Sequence, residues 1–331
     1  MSTNDGCCLA GMVILDMEYR AIGGSTVVTA SLCFGGNVFG WTTDERQSFL
    51  LLDALRDTGL NFLDTADLYS RWASGNSGGE SEIIIGRWLR SRGGRDRIVI
   101  ATKVGADMGE GRAGLSARYI KQAVEASLMR LGTDYIDLYQ SHFDDLGVPL
   151  EETLGAFDDL VQAGKVRAIG ASNYTAQRFA EALDCSERHG LVRYSAFQPH
   201  YNLVERSHYE GDAADLCARR GIGALPFASL ANGFLTGKYR QLSDLADRPR
   251  GSSIAPYLNE RGMAILAALD EIGAQYRAGP AAIAIAWLMT KPAIHSPIVS
   301  ATSVSQIADL VKATELALDA EAVHLLDRAS G

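Results

Sequence analysis

From about residue 30 to residue 314 the sequence alternates between two textures. A short apolar, β-branched run is followed by a longer stretch whose apolar residues recur at helical spacing. The short runs are expected as strands near 30–34, 61–64, 97–102, 135–140, 166–171, 194–198, 223–227 and 295–299. The longer ones are expected as helices near 44–58, 79–92, 116–131, 151–163, 176–189, 206–220, 281–290 and 304–314. Thr43 or Asp44 can cap the first helix, and Gly59, Gly164 and Gly190 follow helix ends. Gly279-Pro280 precedes a helix whose first turn tolerates a missing N–H.

Such alternation, with right-handed crossovers, admits an open doubly wound sheet or a closed barrel. An open sheet would want G-x-G-x-x-G after the first strand. Here Gly35-Gly36-Asn37-Val38-Phe39-Gly40 stands there, without that spacing and with no helix starting. The polar residues follow many strands instead, and a barrel brings all strand C-terminal ends to one mouth. The expected fold is therefore α/β, a (β/α)8 TIM barrel. Ahead of it, Tyr19 to Ala30 alternates around Gly23-Gly24 and reads as an N-terminal β-hairpin.

No composition break interrupts residues 17–331, so one barrel domain is expected there. Residues 1–16 read as a detached, loosely packed extension, with Met17 an alternative start. With 47% hydrophobic and 21% charged residues the chain falls in the soluble globular class. A net charge of −9 without a compact basic patch argues against a nucleic-acid partner. No apolar run approaches the ~20 residues of a membrane helix, and no basic n-region marks a signal peptide. Five cysteines without C-x-x-C suggest neither a disulfide framework nor a zinc site, and a reducing cytoplasm is expected. An oligomer is compatible with this composition.

Three strand ends carry the chemistry. Leu60-Asn61-Phe62-Leu63 runs into Asp64, with Tyr69 five positions on; Ile98–Thr102 ends in Lys103; Tyr135–Ser141 ends in His142. A phenol has a reference pKa near ~10 and is a poor acid at neutral pH. A neighbouring ammonium stabilises the phenolate and is expected to lower that value, while an Asp fixes the lysine. A His can hydrogen-bond a substrate oxygen. Together these form a proton relay for an oxygen that gains or loses charge, as in carbonyl reduction. The hydride must come from a cofactor, since no side chain donates one. Singly, each residue has an ordinary structural explanation: a turn cap, a surface lysine, a packing aromatic, a satisfied core histidine.

Three motifs resemble the aldo-keto reductase superfamily, on the side of its bacterial members and the channel β-subunit-like branch. They are Gly59-Leu60-Asn61-Phe62-Leu63-Asp64-Thr65-Ala66, Leu131-Gly132-Thr133-Asp134-Tyr135-Ile136-Asp137-Leu138 and Gly164-Lys165-Val166-Arg167-Ala168-Ile169-Gly170-Ala171-Ser172-Asn173. The resemblance spans about residues 17–330 and implies nicotinamide-dependent interconversion of an aldehyde, ketone or sugar with its alcohol. It implies Tyr69 as general acid/base, Asp64 and Lys103 tuning it, and His142 orienting the carbonyl.

It also implies a cofactor site. Gly36 would lie beside it, and Ser172, Asn173 and Gln198 would bind the carboxamide, although Ser172-Asn173 alone reads equally as a helix cap. Phe227 would stack on the nicotinamide where relatives commonly carry Tyr. Ser229, Leu230, Ala231, Asn232, Gly233 and Leu235, with Lys238 or Arg240, would approach the pyrophosphate; alone, that stretch also reads as a surface loop. The long connection through Pro256 is expected to fold over the cofactor. Ser300, Thr302, Gln306 and Asp309 would face the adenosine end. Relatives often carry Lys or Arg here to grip the 2′-phosphate. Ser300 and Gln306 depart from that, so the implied cofactor is NADP with NAD as the alternative.

Phe39, Trp41, Trp72 and Tyr201 are expected on mouth loops, where aromatics either stack on a sugar ring, line an apolar pocket or seal the barrel. The Gly/Ser-rich Ser70–Gly79 loop reads as a flap, and His200 as a residue that orders its loop. Two rivals stand beside the reductase: a nucleotide-binding regulatory subunit, and a hydrolase using Asp67 and Glu80 as paired carboxylates.

Overall fold

The computed structural model describes residues 17–331, so the expected extension over residues 1–16, with Cys7 and Cys8, lies outside the described residues. Tyr19–Ala21 (β1) and Val28–Ala30 (β2) form the antiparallel hairpin, Tyr19 opposite Ala30. Eight parallel strands follow: Cys33–Gly35 (β3), Phe62–Asp64 (β4), Val99–Val104 (β5), Ile136–Ser141 (β6), Val166–Ser172 (β7), Ala196–Gln198 (β8), Gly223–Ala224 (β9) and Ile298–Val299 (β10). Their spatial order is β10-β3-β4-β5-β6-β7-β8-β9. The two ends of that row meet. Ala224 N–H donates to Ala293 O, His295 N–H to Ala224 O and Ile298 N–H to Pro226 O, each at 2.8 Å. The fold is the expected (β/α)8 barrel.

Around it lie Glu45–Asp57 (α1), Glu80–Arg92 (α2), Ala117–Leu131 (α3), Leu150–Gln162 (α4), Ala176–His189 (α5), Asp212–Arg220 (α6), Gly251–Ile254 (α7), Glu260–Tyr276 (α8), Pro280–Met289 (α9), Val304–Glu315 (α10) and Ala320–Ser330 (α11). Caps fix several starts: Asp44, Ser116 and Thr175 side chains each accept an N–H from the first helical turn. α6 begins at Asp212, later than expected, because Gly211 takes φ 83° and breaks the helix that the 206–211 pattern suggests. α8 and α11 fall outside the one-helix-per-strand rhythm. They pack together at one end, where Arg261 donates to Ser330 O and Trp287 Nε1 to Asp327 Oδ1 (2.9 Å). No described helix is long and apolar enough to cross a membrane.

Two cores result. One fills the space between the helices and the outer face of the barrel. The other lies within the strands and includes Phe62, Val99, Ala101, Leu138, Ala168, Ala196, Leu225 and Ile298, with Ile22 and Val27 of the hairpin turn sealing the N-terminal end. Below β6, Asp137 accepts from Arg95 (2.8 Å), Arg167 (2.9 Å) and the Ile100 N–H (3.0 Å), and both guanidinium groups lie 4.0 Å from the centre of the Tyr135 ring.

Candidate active site

The period of two along each strand builds the mouth. Phe62, Val99, Ala101 and Leu138 fill the interior, and the next inward positions are Asp64, Lys103 and Gln140. Parallel register sets Lys103 beside Gln140 and Ser172 beside Gln198. Gly170 makes room for this layer: a Cβ there would come within 3.2 Å of Gln140 Cγ and 3.1 Å of Ala196 Cβ.

Asp64, Tyr69, Lys103 and His142 meet at that mouth. Lys103 Nζ donates to Asp64 Oδ2 (2.7 Å), Thr65 O (2.9 Å) and Tyr69 OH (2.7 Å), so all its donors are used. With a relative exposure of 0%, it is not a surface lysine. Tyr69 OH lies 3.0 Å from Asp64 Oδ2, and the Tyr69 and His142 ring centres are 6.1 Å apart. Gln198 Nε2 donates to Asp64 Oδ1 (3.0 Å), with Gln140 Nε2 at 3.4 Å from the same oxygen. Gln140 was not among the residues singled out from the sequence; its signal is a polar side chain on the inward phase of a buried strand.

Electrostatics alter one expectation. Burial, then the Asp64 carboxylate, holds the Tyr69 phenol well above its ordinary pKa, so the ammonium does not make a resting phenolate. The phenol therefore keeps its proton at neutral pH, and Lys103 stands ready for the charge left when it departs. Burial, then Lys103, pushes His142 well below the ordinary histidine value, so its ring is neutral.

The positions expected to hold a dinucleotide form a strip from this mouth. Ser172 Oγ donates to Gln198 O (2.9 Å), and Asn173, at φ 58°, donates to His142 O (2.9 Å). Phe227 stacks on His200, centroids 5.1 Å apart at 14°. Beyond it, Ala228, Ala231, Asn232 and Gly233 all have positive φ. This contorted turn leaves the N–H groups of Ser229 and Leu230 without an acceptor among the described residues. Ser229 Oγ turns to Pro226 O, while Ala231 and Leu235 side chains are buried in the outer core, so these residues offer only backbone. Lys238 lies over Tyr239, whereas Arg240 is held by Asp270 (2.9 Å). Gly36 is packed from behind by Ser81, whose Oγ donates to Gly36 O. Ser300 Oγ donates to Gly35 O (2.7 Å), Gln306 accepts from the Thr302 N–H (2.8 Å), and Asp309 is exposed on α10.

A family model described as the aldo/keto reductase family matches residues 31–330. The chain belongs to the aldo/keto reductase family. It is 33% identical to the uncharacterized oxidoreductase YrpG of Bacillus subtilis (strain 168), covering 94% of this chain and 95% of that one. It is 32% identical to a probable voltage-gated potassium channel subunit beta of Arabidopsis thaliana (91% and 92% covered) and 32% identical to the aldo-keto reductase AMT2 of Alternaria alternata (92% and 89%). Membership supports, in broad terms, a nicotinamide-dependent oxidoreductase.

The four aromatics expected at the mouth of this aldo/keto reductase part company. Trp72 and Trp41 stand at the mouth: Trp72 lies 6.0 Å from Tyr69 and 5.6 Å from Trp41, centroid to centroid. Phe39 does not line it; its ring is fully buried against Phe34. Tyr201 is buried too, bonded to Glu210 (2.7 Å) and packed on Tyr209 and Trp287. Both rings are drawn into the helix layer, where a large apolar face is removed from water. The Ser70–Gly79 loop is tied down, since Asn76 Nδ2 donates to Gly40 O and Ser70 O. Glu80 accepts from the Ser77 and Gly78 N–H groups, while Asp67 is buried, so these two do not form an exposed carboxylate pair.

The long connection after β9 contributes a residue the sequence did not flag. Arg250 lies 5.2 Å over the Trp41 ring, and among the described residues no carboxylate pairs with it. The Asn37 amide, with Nδ2 toward Ser300 Oγ (2.7 Å), accepts from Arg250 at 3.1 Å through Oδ1. Arg250 is thus a largely buried guanidinium without a carboxylate partner among the described residues, linked through Asn37 to Ser300 ahead of α10.

Proposed function

We propose that this protein reduces aldehydes or ketones, or oxidises the matching alcohols, with Tyr69 as general acid/base and NADP(H) as the cofactor. The observation that carries this is the buried Lys103 ammonium, 2.7 Å from both the Tyr69 hydroxyl and Asp64 Oδ2. A dihydronicotinamide held there would supply the hydride that the carbonyl carbon takes. Tyr69 gives its proton to the carbonyl oxygen, and Lys103 stabilises the phenolate that remains. Asp64 holds Lys103 in place, and Gln140 and Gln198 hold Asp64. Neutral His142 serves as a hydrogen-bonding group for the substrate oxygen, not as the acid. In the oxidative direction Tyr69 must first lose its proton, and the phenolate held by Lys103 then takes the alcohol proton.

Ser172, Asn173 and Gln198 suit the carboxamide, which both donates and accepts. Phe227 suits the nicotinamide face, and the 228–233 turn the pyrophosphate. No cation stands among Ser300–Asp309, and Arg250, linked to Ser300 through Asn37, supplies the charge a 2′-phosphate needs. That favours NADP over NAD.

Likeness to a probable potassium channel subunit beta keeps a second reading, a nucleotide-binding regulatory subunit with little turnover. A panel of carbonyls and sugars assayed against NADPH and NADH by absorbance of the reduced nicotinamide separates the two. The reductase reading expects steady turnover, faster with NADPH. Tight NADPH binding with no turnover of any carbonyl would favour the regulatory subunit.

A further inference from the structure

A buried amide stands behind the turn that follows Phe227. Asn202 is wholly buried. Its Oδ1 accepts from the Val204 N–H (2.8 Å) and the Glu205 N–H (2.9 Å), and its Nδ2 donates to Ala228 O (3.0 Å). Two N–H groups on one side and a carbonyl on the other leave one orientation for the amide. Its oxygen shapes its own loop, an ordinary task for an asparagine. Its nitrogen reaches a residue 26 positions on.

That residue has an unusual backbone. Ala228 takes φ 53°, in the left-handed region that a Cβ disfavours. Such a conformation persists only where its surroundings hold it. Its carbonyl accepts from the Ala231 N–H (2.7 Å) as well as from Asn202. The Ala231 bond closes the turn within itself and says nothing of which way the turn faces. The Asn202 bond ties it to the connection between β8 and α6. In a trans peptide the C=O and the following N–H share a plane and point in opposite directions. Drawing Ala228 O onto buried Asn202 thus aims the Ser229 N–H the other way. That N–H is one of the two in the turn without an acceptor among the described residues.

Asn202 is anchored in its turn. Arg261 of α8 donates to Val204 O (3.0 Å) and to Ser330 O, and Arg206 donates to Ser330 Oγ (2.8 Å) and Asp327 O (3.0 Å) of α11. The two helices outside the strand–helix rhythm therefore grip the loop that carries Asn202.

We infer that Asn202 is a positioning residue for the cofactor's pyrophosphate, acting through the Ala228–Ser229 peptide. The inference rests on the reading of the 228–233 turn as the pyrophosphate site. Without the Nδ2 bond, Ala228 is free to leave the left-handed region, and the Ser229 N–H loses its aim. A backbone donor suited to a phosphate oxygen is then lost, although no side chain facing the phosphate has changed. Tyr69, Lys103 and Asp64 are untouched, so the loss falls on binding and not on the proton transfer.

Asn202→Asp isolates this bond. It keeps an oxygen for the Val204 and Glu205 N–H groups and turns a second oxygen, in place of the donor, toward Ala228 O. The test measures NADPH dissociation constants by fluorescence titration at pH 8 for the wild type, Asn202→Asp and Asn202→Asp/Ala228→Gly, beside kcat with nitrobenzaldehyde at saturating NADPH. Asn202→Asp is expected to weaken NADPH binding roughly tenfold. Its kcat at saturation should stay within about twofold of the wild type, the pattern of a binding loss. Adding Ala228→Gly should recover roughly threefold or more, because glycine holds a left-handed backbone without help. Should Asn202→Asp not fold, Asn202→Ser carries the same expectation, since its hydroxyl still caps the loop but ends one atom nearer its own backbone. Unchanged NADPH affinity, a fall in kcat as large as the fall in affinity, or a double variant no tighter than the single one overturns the positioning role. A wild type that binds NADPH, loses affinity in Asn202→Asp and turns over no carbonyl overturns the reductase reading alone. A wild type that binds no NADPH overturns both.

Discussion

Arg250 and Trp41 touch across the mouth, guanidinium over indole at 5.2 Å, although 209 residues separate them in the chain. The contact joins the connection after β9 to the loop after β3. It leaves a positive group, which burial holds below its ordinary pKa, facing the strip where phosphates are expected. Arg250→Leu should weaken NADPH binding about tenfold and NADH binding less, since charge-assisted bonds to a phosphate exceed neutral ones. Fluorescence titration reads both constants. Equal affinities in variant and wild type would remove Arg250 from the cofactor site.

Lys103→Met should abolish most turnover and also loosen the fold. Asp64 would be left buried without its cation, a change that costs about 3–5 kcal/mol where a buried pair loses one partner. Urea denaturation measures the loss. A Lys103→Met protein as stable as the wild type would mean that the pair is not held as described.

Asp67 gives the protein a pH-dependent stability unconnected to catalysis. Burial, then the Glu82 carboxylate, raises its pKa to about 7, and its Oδ1 has no partner. The folded state therefore holds this proton more tightly than the unfolded chain. Stability from this group is full below pH 4 and declines as the pH rises toward 7, by roughly 2–4 kcal/mol. Asp67→Asn should flatten that decline, and urea midpoints from pH 5 to 8 test it. Parallel profiles for the two proteins would contradict it.

Asp137→Asn should lower the melting temperature by removing the shared acceptor of Arg95 and Arg167, a loss of about 1–3 kcal/mol. The site lies at the opposite end of the barrel from Tyr69, so kcat should move much less than stability. A large fall in kcat without a change in melting temperature would contradict this assignment.

Much of this architecture was legible because parallel strands are buried on both faces and read as near-continuous apolar runs. Phe62–Asp64, Val99–Val104 and Ile136–Ser141 all fall within a few residues of expectation. α8 and α11 lie outside the rhythm of one helix per strand that the sequence pattern suggests. Glu260–Tyr276 is itself periodic, but nothing in its local pattern says that α7 and α8 will stand ahead of α9 between β9 and β10. The four chemical residues were legible because strand ends in a barrel converge. Arg250 was not, since an arginine beside a proline in a loop looks like surface charge until the fold sets it on Trp41. Phe39 and Tyr201 show the converse error: aromatics near a mouth in sequence turned inward. The direction of the Tyr69 shift also needed coordinates, because the burial of the phenol and its closeness to the Asp64 carboxylate, which raise it, are set by the fold.

The most direct test is the rate of NADPH oxidation by nitrobenzaldehyde in Tyr69→Phe, measured beside the NADPH dissociation constant of the same variant. The account predicts a loss of at least about a hundredfold in turnover, the scale of a general acid, with cofactor affinity close to wild type. Turnover near wild type would contradict Tyr69 as the proton donor, and loss of NADPH binding would contradict its place beside, rather than within, the cofactor site.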